Sequence, residues 1–175
     1  MNVSEVMQRV ATSVSIVTTV DSSGLACGVT VGTLCWVSFT PPLVMFCLDR
    51  SGRSYRVLTA ADRVLVHVLG DDQAEIAARF ARTDLERFDG MRDSWHGLPT
   101  IPDTALRLAC ARYQVVAGGD HTIVICLVED AETGSADPLL YYAHGYCAAL
   151  PVTVTAALPP RIRAARAGCV ARSWR

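Results

Sequence analysis

A chain of 175 residues can form one domain with a buried core, and a net charge of −1 argues against nucleic acid as the main partner of its folded body. Half the residues are apolar, yet no apolar run approaches the roughly 20 residues that a membrane-spanning helix requires. Residues Met1 to Ser15 lack the basic start and apolar block of a secretory signal, so a cytoplasmic protein with no membrane partner is expected.

In chain order, Ser4 can cap a short helix with Val6, Met7 and Val10 on one face. The β-branched run Val14 to Val20 ends at the turn Asp21-Ser22-Ser23-Gly24. The runs Ala26 to Val31, Leu34 to Phe39 and Leu43 to Leu48 follow as strands, with Pro41-Pro42 marking an edge or corner. Ser54 begins a helix through Ala60, and Val64 to Leu69 is nearly continuously apolar, as a strand buried on both faces would be. Asp71 or Asp72 caps a second helix that carries Ile76, Ala77 and Phe80. A long polar loop spans Arg82 to Thr104, and Leu106 to Val116, Thr122 to Glu129 and Leu139 to Tyr142 complete the strands. Close-spaced strands of this kind suit a small closed barrel. The domain is expected over residues 1–150, followed by a basic extension over 151–175 that reads as flexible; from Leu158 onward it holds five arginines and no acid.

Several chemistries lack their residues. Seven cysteines form no CxxC pair and read as small buried hydrophobes, and four histidines show no ligand spacing, so no structural metal is expected. All 16 basic residues are arginine, which removes Schiff-base lysines and the P-loop, and neither GxGxxG nor GxSxG is present. The segment Gly118-Gly119-Asp120-His121 joins two apolar runs and places an imidazole at the mouth of a β-hairpin. On its own it is either a structural turn or a catalytic position. The loop Ser51-Gly52-Arg53-Ser54 offers two hydroxyls and a guanidinium, either as a phosphate cradle or as an ordinary polar turn.

The ordered set Gly28-Val29-Thr30, Val37-Ser38, Pro41-Pro42-Leu43-Val44, Cys47-Leu48-Asp49-Arg50-Ser51, Asp72-Gln73, Phe80-Ala81, Arg87-Phe88, Gly97-Leu98-Pro99, Gly119-Asp120-His121 and Pro138-Leu139-Leu140-Tyr141-Tyr142 resembles the short-chain flavin reductases. These are the small components of two-component flavin-dependent monooxygenases, and the resemblance runs from about Met7 to Leu150. It implies a mainly β protein, an FMN-binding split β-barrel with a few short helices, forming a homodimer with flavin sites near the subunit interface. It further implies hydride transfer from NADH or NADPH to FMN or FAD, and release of reduced flavin to a monooxygenase.

By the same resemblance Ser51, Arg53 and Ser54 hold the flavin phosphate, while Thr30, Val31, Gly32, Thr33 and Ser38 line the isoalloxazine. Cys47, Asp49, His67, Phe80 and Arg87 are carried over as further cofactor contacts. His121 is placed near the nicotinamide, where it orients the amide or stabilises charge, with Asp120 orienting the imidazole or closing the turn. The chain departs from the family pattern at Gly32, Leu34, Trp36, His67 and Cys126-Leu127. His67 reads either as a hydrogen-bonded core histidine or as a flavin contact. Two other functions stay open: a flavin- or haem-binding accessory protein without turnover, and a repurposed flavoenzyme acting on an organic substrate.

Overall fold

A computed structural model describes residues 3–82 and 87–149; the basic extension expected over 151–175 lies outside them. The elements in order are α1 (Val3–Met7), β1 (Thr12–Ser13), β2 (Ser15–Val20), β3 (Ala26–Val31), β4 (Cys35–Phe39), β5 (Pro42–Asp49), α2 (Tyr55–Ala60), β6 (Arg63–Val68) and α3 (Ala74–Ala81). They continue with β7 (Ser94–Trp95), β8 (Leu98–Pro99), β9 (Leu106–Gly118), β10 (His121–Thr133), β11 (Leu139–Tyr142) and β12 (Gly145–Ala148). Seven strands form one sheet in the order β3-β2-β6-β9-β10-β5-β4, and every pairing is antiparallel. Two register shifts between β9 and β10 bend the long hairpin, and β3 approaches β5 so that the sheet curls into a barrel.

Side-chain alternation divides the core. Val17, Val31, Val44, Phe46, Val64, Val66, Cys110 and Val124 point inward and enclose Leu58 of α2, which plugs the barrel. On the outer face Ile16, Phe80, Ala77, Ile101 and Leu139 form a second cluster under α3. β2 and β6 are therefore buried on both faces, which is why the run from Val64 onward carries no polar alternation. A fully enclosed side chain such as Phe46 contributes about 1.5–3 kcal/mol relative to exposure.

The Gly118–His121 segment is a two-residue hairpin, with Gly118 paired to His121 and Gly119 at φ 72°. Pro41 sits in the corner between β4 and β5, and β4 is one of the two terminal strands of the sheet, with β3 the other. Three expectations are corrected. α1 starts at Val3, so Ser4 lies inside the helix, and Val6, Met7 and Val10 are exposed. α3 begins at Ala74 with Gln73, not Asp71 or Asp72, in the cap position. The Gln73 carboxamide accepts from the Gly70 amide at 3.0 Å and donates to the Pro102 carbonyl at 2.8 Å, tying the helix start to the following loop. The polar loop from Arg82 to Thr104 holds the hairpin β7–β8, and β12 pairs with β11 in a small sheet with β1. Among the described residues no helix is long and apolar enough to cross a membrane.

Candidate functional site

The end of β5 and the loop to α2 fold as consecutive turns. The Asp49 carboxylate accepts from the Ser51 amide and hydroxyl, both at 2.8 Å, and these bonds hold its carboxyl below the usual range, with His121 adding a favourable charge interaction. Gly52 N donates to the Asp49 carbonyl and Tyr55 N to the Gly52 carbonyl, each at 3.0 Å. Ser54 occupies the cap position of α2, but its hydroxyl makes no cap bond; it donates to the Gly28 carbonyl on β3 at 3.0 Å. Arg87 arrives from the other side of the chain, donating from Nη1 to that same carbonyl and to Ser54 Oγ at 2.7 Å. Its Nη2 reaches the Arg82 carbonyl at 2.7 Å.

Two clefts meet along this knot. The smaller, of about 310 Å³, runs between Val29, Leu48, Asp49, Tyr55 and Ala81. The larger, of about 620 Å³, is walled by Leu25, Cys27, Gly28, Val57, Phe88 and Asp89. Arg53, Ser54 and Arg87 line both. Burial lowers the pKa of Arg87, and the Arg53 guanidinium beside it lowers it further. Two like charges along one wall repel each other, and an anion placed between them removes that cost. The two guanidiniums give this wall the positive charge that a flavin phosphate requires, while the hydroxyl protons of Ser51 and Ser54 are spent on Asp49 and on the Gly28 carbonyl.

His121 stands beside this loop because β10 pairs with β5 in a register that sets His121 opposite Asp49. The Arg50 amide donates to the Asp120 carbonyl at 3.1 Å, and Tyr55 Oη and Thr122 Oγ1 share a bond of 2.9 Å, fastening the hairpin turn to the loop. His121 Nδ1 donates to Asp120 Oδ1 at 2.8 Å, and this bond holds the Asp120 carboxyl below the usual range. With Nδ1 carrying the proton, Nε2 of the neutral ring is an acceptor on an imidazole that is 43% exposed. Asp49, Ser51, Arg53, Ser54 and Arg87 thus share one cleft, with Asp120 and His121 at its side.

The remaining expected positions sit elsewhere. Thr30 donates its hydroxyl to the Ala77 carbonyl at 2.7 Å, pinning α3 to β3. Val31 is in the barrel core, and Gly32 packs against Thr12, whose hydroxyl lies 3.1 Å from where a Cβ would stand. Thr33 Oγ1 accepts from the Cys47 amide at 2.8 Å, holding the loop after β3 against β5 next to Leu48 in the smaller cleft. The Ser38 hydroxyl accepts from the Thr40 amide at 3.2 Å in the β4–β5 corner. Phe80 is fully enclosed beneath Gly28, in perpendicular contact with Phe88 at 4.9 Å.

His67 is fully enclosed as well. Nδ1 donates to the Ile16 carbonyl at 3.1 Å, so Nε2 accepts, and its partner at 3.1 Å is the Thr100 hydroxyl. Both ring nitrogens are consumed within the protein, so the core reading of His67 stands and the flavin-contact reading is corrected. Burial depresses its pKa to about 4, and Arg107 nearby lowers it further.

Gly28 has a role that its sequence context did not assign. Its carbonyl collects Ser54 and Arg87, and a Cβ there would lie 2.9 Å from Phe80 and 3.1 Å from Phe88. A glycine inside a strand pattern is the available signal, since it marks close approach by another chain segment. Tyr55 and Thr122 carry no comparable signal.

Residues 7–150 match the model of the flavin reductase like domain. Flavin reductase of Pseudomonas putida is 38% identical over 144 residues, covering 81% of this chain and 85% of that protein. NADH:riboflavin 5'-phosphate oxidoreductase of Streptomyces pristinaespiralis is 33% identical over 154 residues, covering 85% and 88%. Among solved structures, the styrene monooxygenase flavin reductase of Pseudomonas putida S12 superposes with a TM-score of 0.79 at 28% identity, covering 87% of this chain and 100% of that one. With a split barrel whose edge strand, loop and hairpin turn meet at two clefts that share Arg53 and Arg87, and with these relatives along nearly the whole domain, the chain belongs to the flavin reductase like family.

Proposed function

We propose that the chain is an NAD(P)H:flavin oxidoreductase that transfers hydride from NADH or NADPH to FMN or FAD and supplies diffusible reduced flavin to a partner flavin-dependent monooxygenase. The observation that carries this reading is the pair of guanidiniums, Arg53 and Arg87, lining one cleft beside the strands that carry His121. Bound flavin supplies the hydride-accepting chemistry; the protein supplies binding, orientation and electrostatics. Arg53 and Arg87 bind the phosphate, and Asp49 keeps the loop in shape through Ser51. His121 presents Nε2 as an acceptor for the nicotinamide amide, and Asp120 holds the tautomer that makes Nε2 an acceptor.

The protein works as a homodimer in the cytoplasm. Trp36 and Phe39, 57% and 66% exposed, stack at 3.9 Å on the edge strand β4, and Tyr113, Val115 and Val116 are exposed on the outer half of β9. An apolar surface of this extent fits a two-fold partner. The free cysteines Cys27, Cys35, Cys47, Cys110, Cys126 and Cys147 fit a reducing compartment.

Steady-state oxidation of NADH and NADPH with added riboflavin, FMN and FAD tests the proposal. Turnover that depends on added flavin is expected. A purified protein that retains stoichiometric flavin and oxidises neither nicotinamide would favour the accessory-protein reading instead.

A further inference from the structure

We infer that Tyr55 is a positioning residue for hydride transfer, fixing the His121 imidazole beside the cleft through its bond to Thr122; this rests on the flavin-reductase reading and on the role given there to His121. His121 stands at an exposed point of the fold. It follows a two-residue turn in which Gly119 has φ 72° and the Asp120 side chain is 92% exposed. From the loop, Arg50 donates its amide to the Asp120 carbonyl at 3.1 Å and Nη1 to the Gly119 carbonyl at 3.4 Å. The second of these bonds is long and open to solvent, so water competes for it. Arg50 thus secures the chain before His121 only in part.

The anchor after His121 is of another kind. Strand alternation turns Thr122 to the opposite face, into the barrel, where it is buried. There its hydroxyl meets Tyr55 Oη at 2.9 Å. Tyr55 has a firm frame, because it opens α2 and packs against the barrel core. The same helix carries the enclosed Leu58, and the Thr59 hydroxyl donates to the Tyr55 carbonyl at 2.7 Å. The Thr59 carbonyl in turn accepts from Arg112 Nη1 of β9 at 3.3 Å. The Tyr55–Thr122 bond therefore refers the start of β10 to the barrel interior, not to the exposed turn. Tyr55 also lines the smaller cleft with Ser51, Gly52 and Ser54, so one residue joins the flavin loop to the strand that carries His121. Hydride transfer is sensitive to such a link, since a misplacement of about 1 Å at the reacting groups costs up to about a hundredfold in rate.

Stopped-flow reduction on the full chain tests this, with FMN and NADH both saturating. Thr122→Val, which keeps the shape and removes the hydroxyl, should slow hydride transfer about three- to tenfold, and Tyr55→Phe should do the same. The double variant should be no slower than either single one, because both remove one bond. Thr122→Ser retains the hydroxyl and should stay within about twofold of wild type. In the His121→Ala background, Thr122→Val should change the rate by less than about twofold, since the ring that it positions is gone. FMN affinity of Thr122→Val, read by fluorescence quenching, should stay within about twofold of wild type. Melting curves report folding, and Tyr55→Phe, which keeps the packed ring, carries the test if Thr122→Val does not fold. Wild-type rates in both single variants, losses that persist undiminished without His121, or FMN affinity that falls in step with the rate would overturn the inference while leaving the reductase reading in place. A wild type that oxidises neither NADH nor NADPH with riboflavin, FMN or FAD would instead overturn the reading on which it rests.

Discussion

Replacing His67 with asparagine removes the one histidine that is wholly enclosed, and the effect on stability has a sign fixed by its surroundings. Asparagine can still donate to the Ile16 carbonyl, but it does not titrate. In the folded protein the imidazole is neutral down to about pH 4, against an ordinary value of 6.5, because burial and the Arg107 charge disfavour the imidazolium. The unfolded chain therefore binds a proton at this site over the interval from 6.5 to about 4 while the folded chain does not, so stability falls as the pH falls. Linkage gives a loss of about 1 kcal/mol at pH 6 and about 2 kcal/mol at pH 5, relative to neutral pH. Urea unfolding of wild type and His67→Asn at several pH values measures it. Asp21, Asp49, Asp120 and Asp130 have lowered pKa values in both proteins and act in the same direction at lower pH, so the difference between the two curves isolates the histidine. Wild type should converge on the variant as the pH drops, having been the more stable at neutral pH. Parallel curves would refute the neutral, enclosed assignment.

Arg53→Ala should weaken FMN by roughly tenfold to a hundredfold, the worth of one charge-assisted bond of about 1.5–3 kcal/mol, and leave riboflavin nearly unchanged; titration calorimetry with both ligands decides. His121→Ala should slow hydride transfer roughly tenfold to a hundredfold with flavin affinity intact; in stopped-flow reduction at saturating flavin, an unaltered rate would reduce the residue to a hairpin turn. Light scattering should give a dimer mass for the wild type and a smaller mass for the Trp36→Glu, Phe39→Glu double variant, whereas a wild-type monomer at micromolar concentration rejects the proposed interface. Gly28→Ala should cost about 1–3 kcal/mol in thermal stability, because its new Cβ meets the Phe80 and Phe88 rings.

The barrel strands are legible in the sequence because their burial leaves a direct mark: Val64 to Leu69 is apolar on both faces except at His67, and Gly119 supplies the positive φ that its hairpin requires. The short hairpins are not legible for the converse reason. β11 and β12 turn through Ala143 and His144, both at positive φ, and β7 and β8 through His96 and Gly97, so three of these four turn positions carry none of the usual turn residues. For the site, the loop Ser51–Ser54 and His121 are visible as local patterns, but the meeting of Arg87 with Gly28 spans 59 residues and depends on how the chain after α3 returns. Thr30 and His67 show a related limit. A polar residue in a strand serves whatever covers its face, and only the placement of α3 and of Thr100 tells which partner that is.

The bonds to the Gly28 carbonyl also bear on how this protein behaves in a crowded solution. β3 is the terminal strand of the seven-stranded sheet, and an exposed edge with open carbonyls is a template on which another chain can add a strand. Ser54 and Arg87 occupy the Gly28 carbonyl of that strand, so it is not open to an incoming amide. Residues that line the clefts thereby also close one acceptor on the sheet edge, so a change that frees the Gly28 carbonyl alters the edge as well as the site.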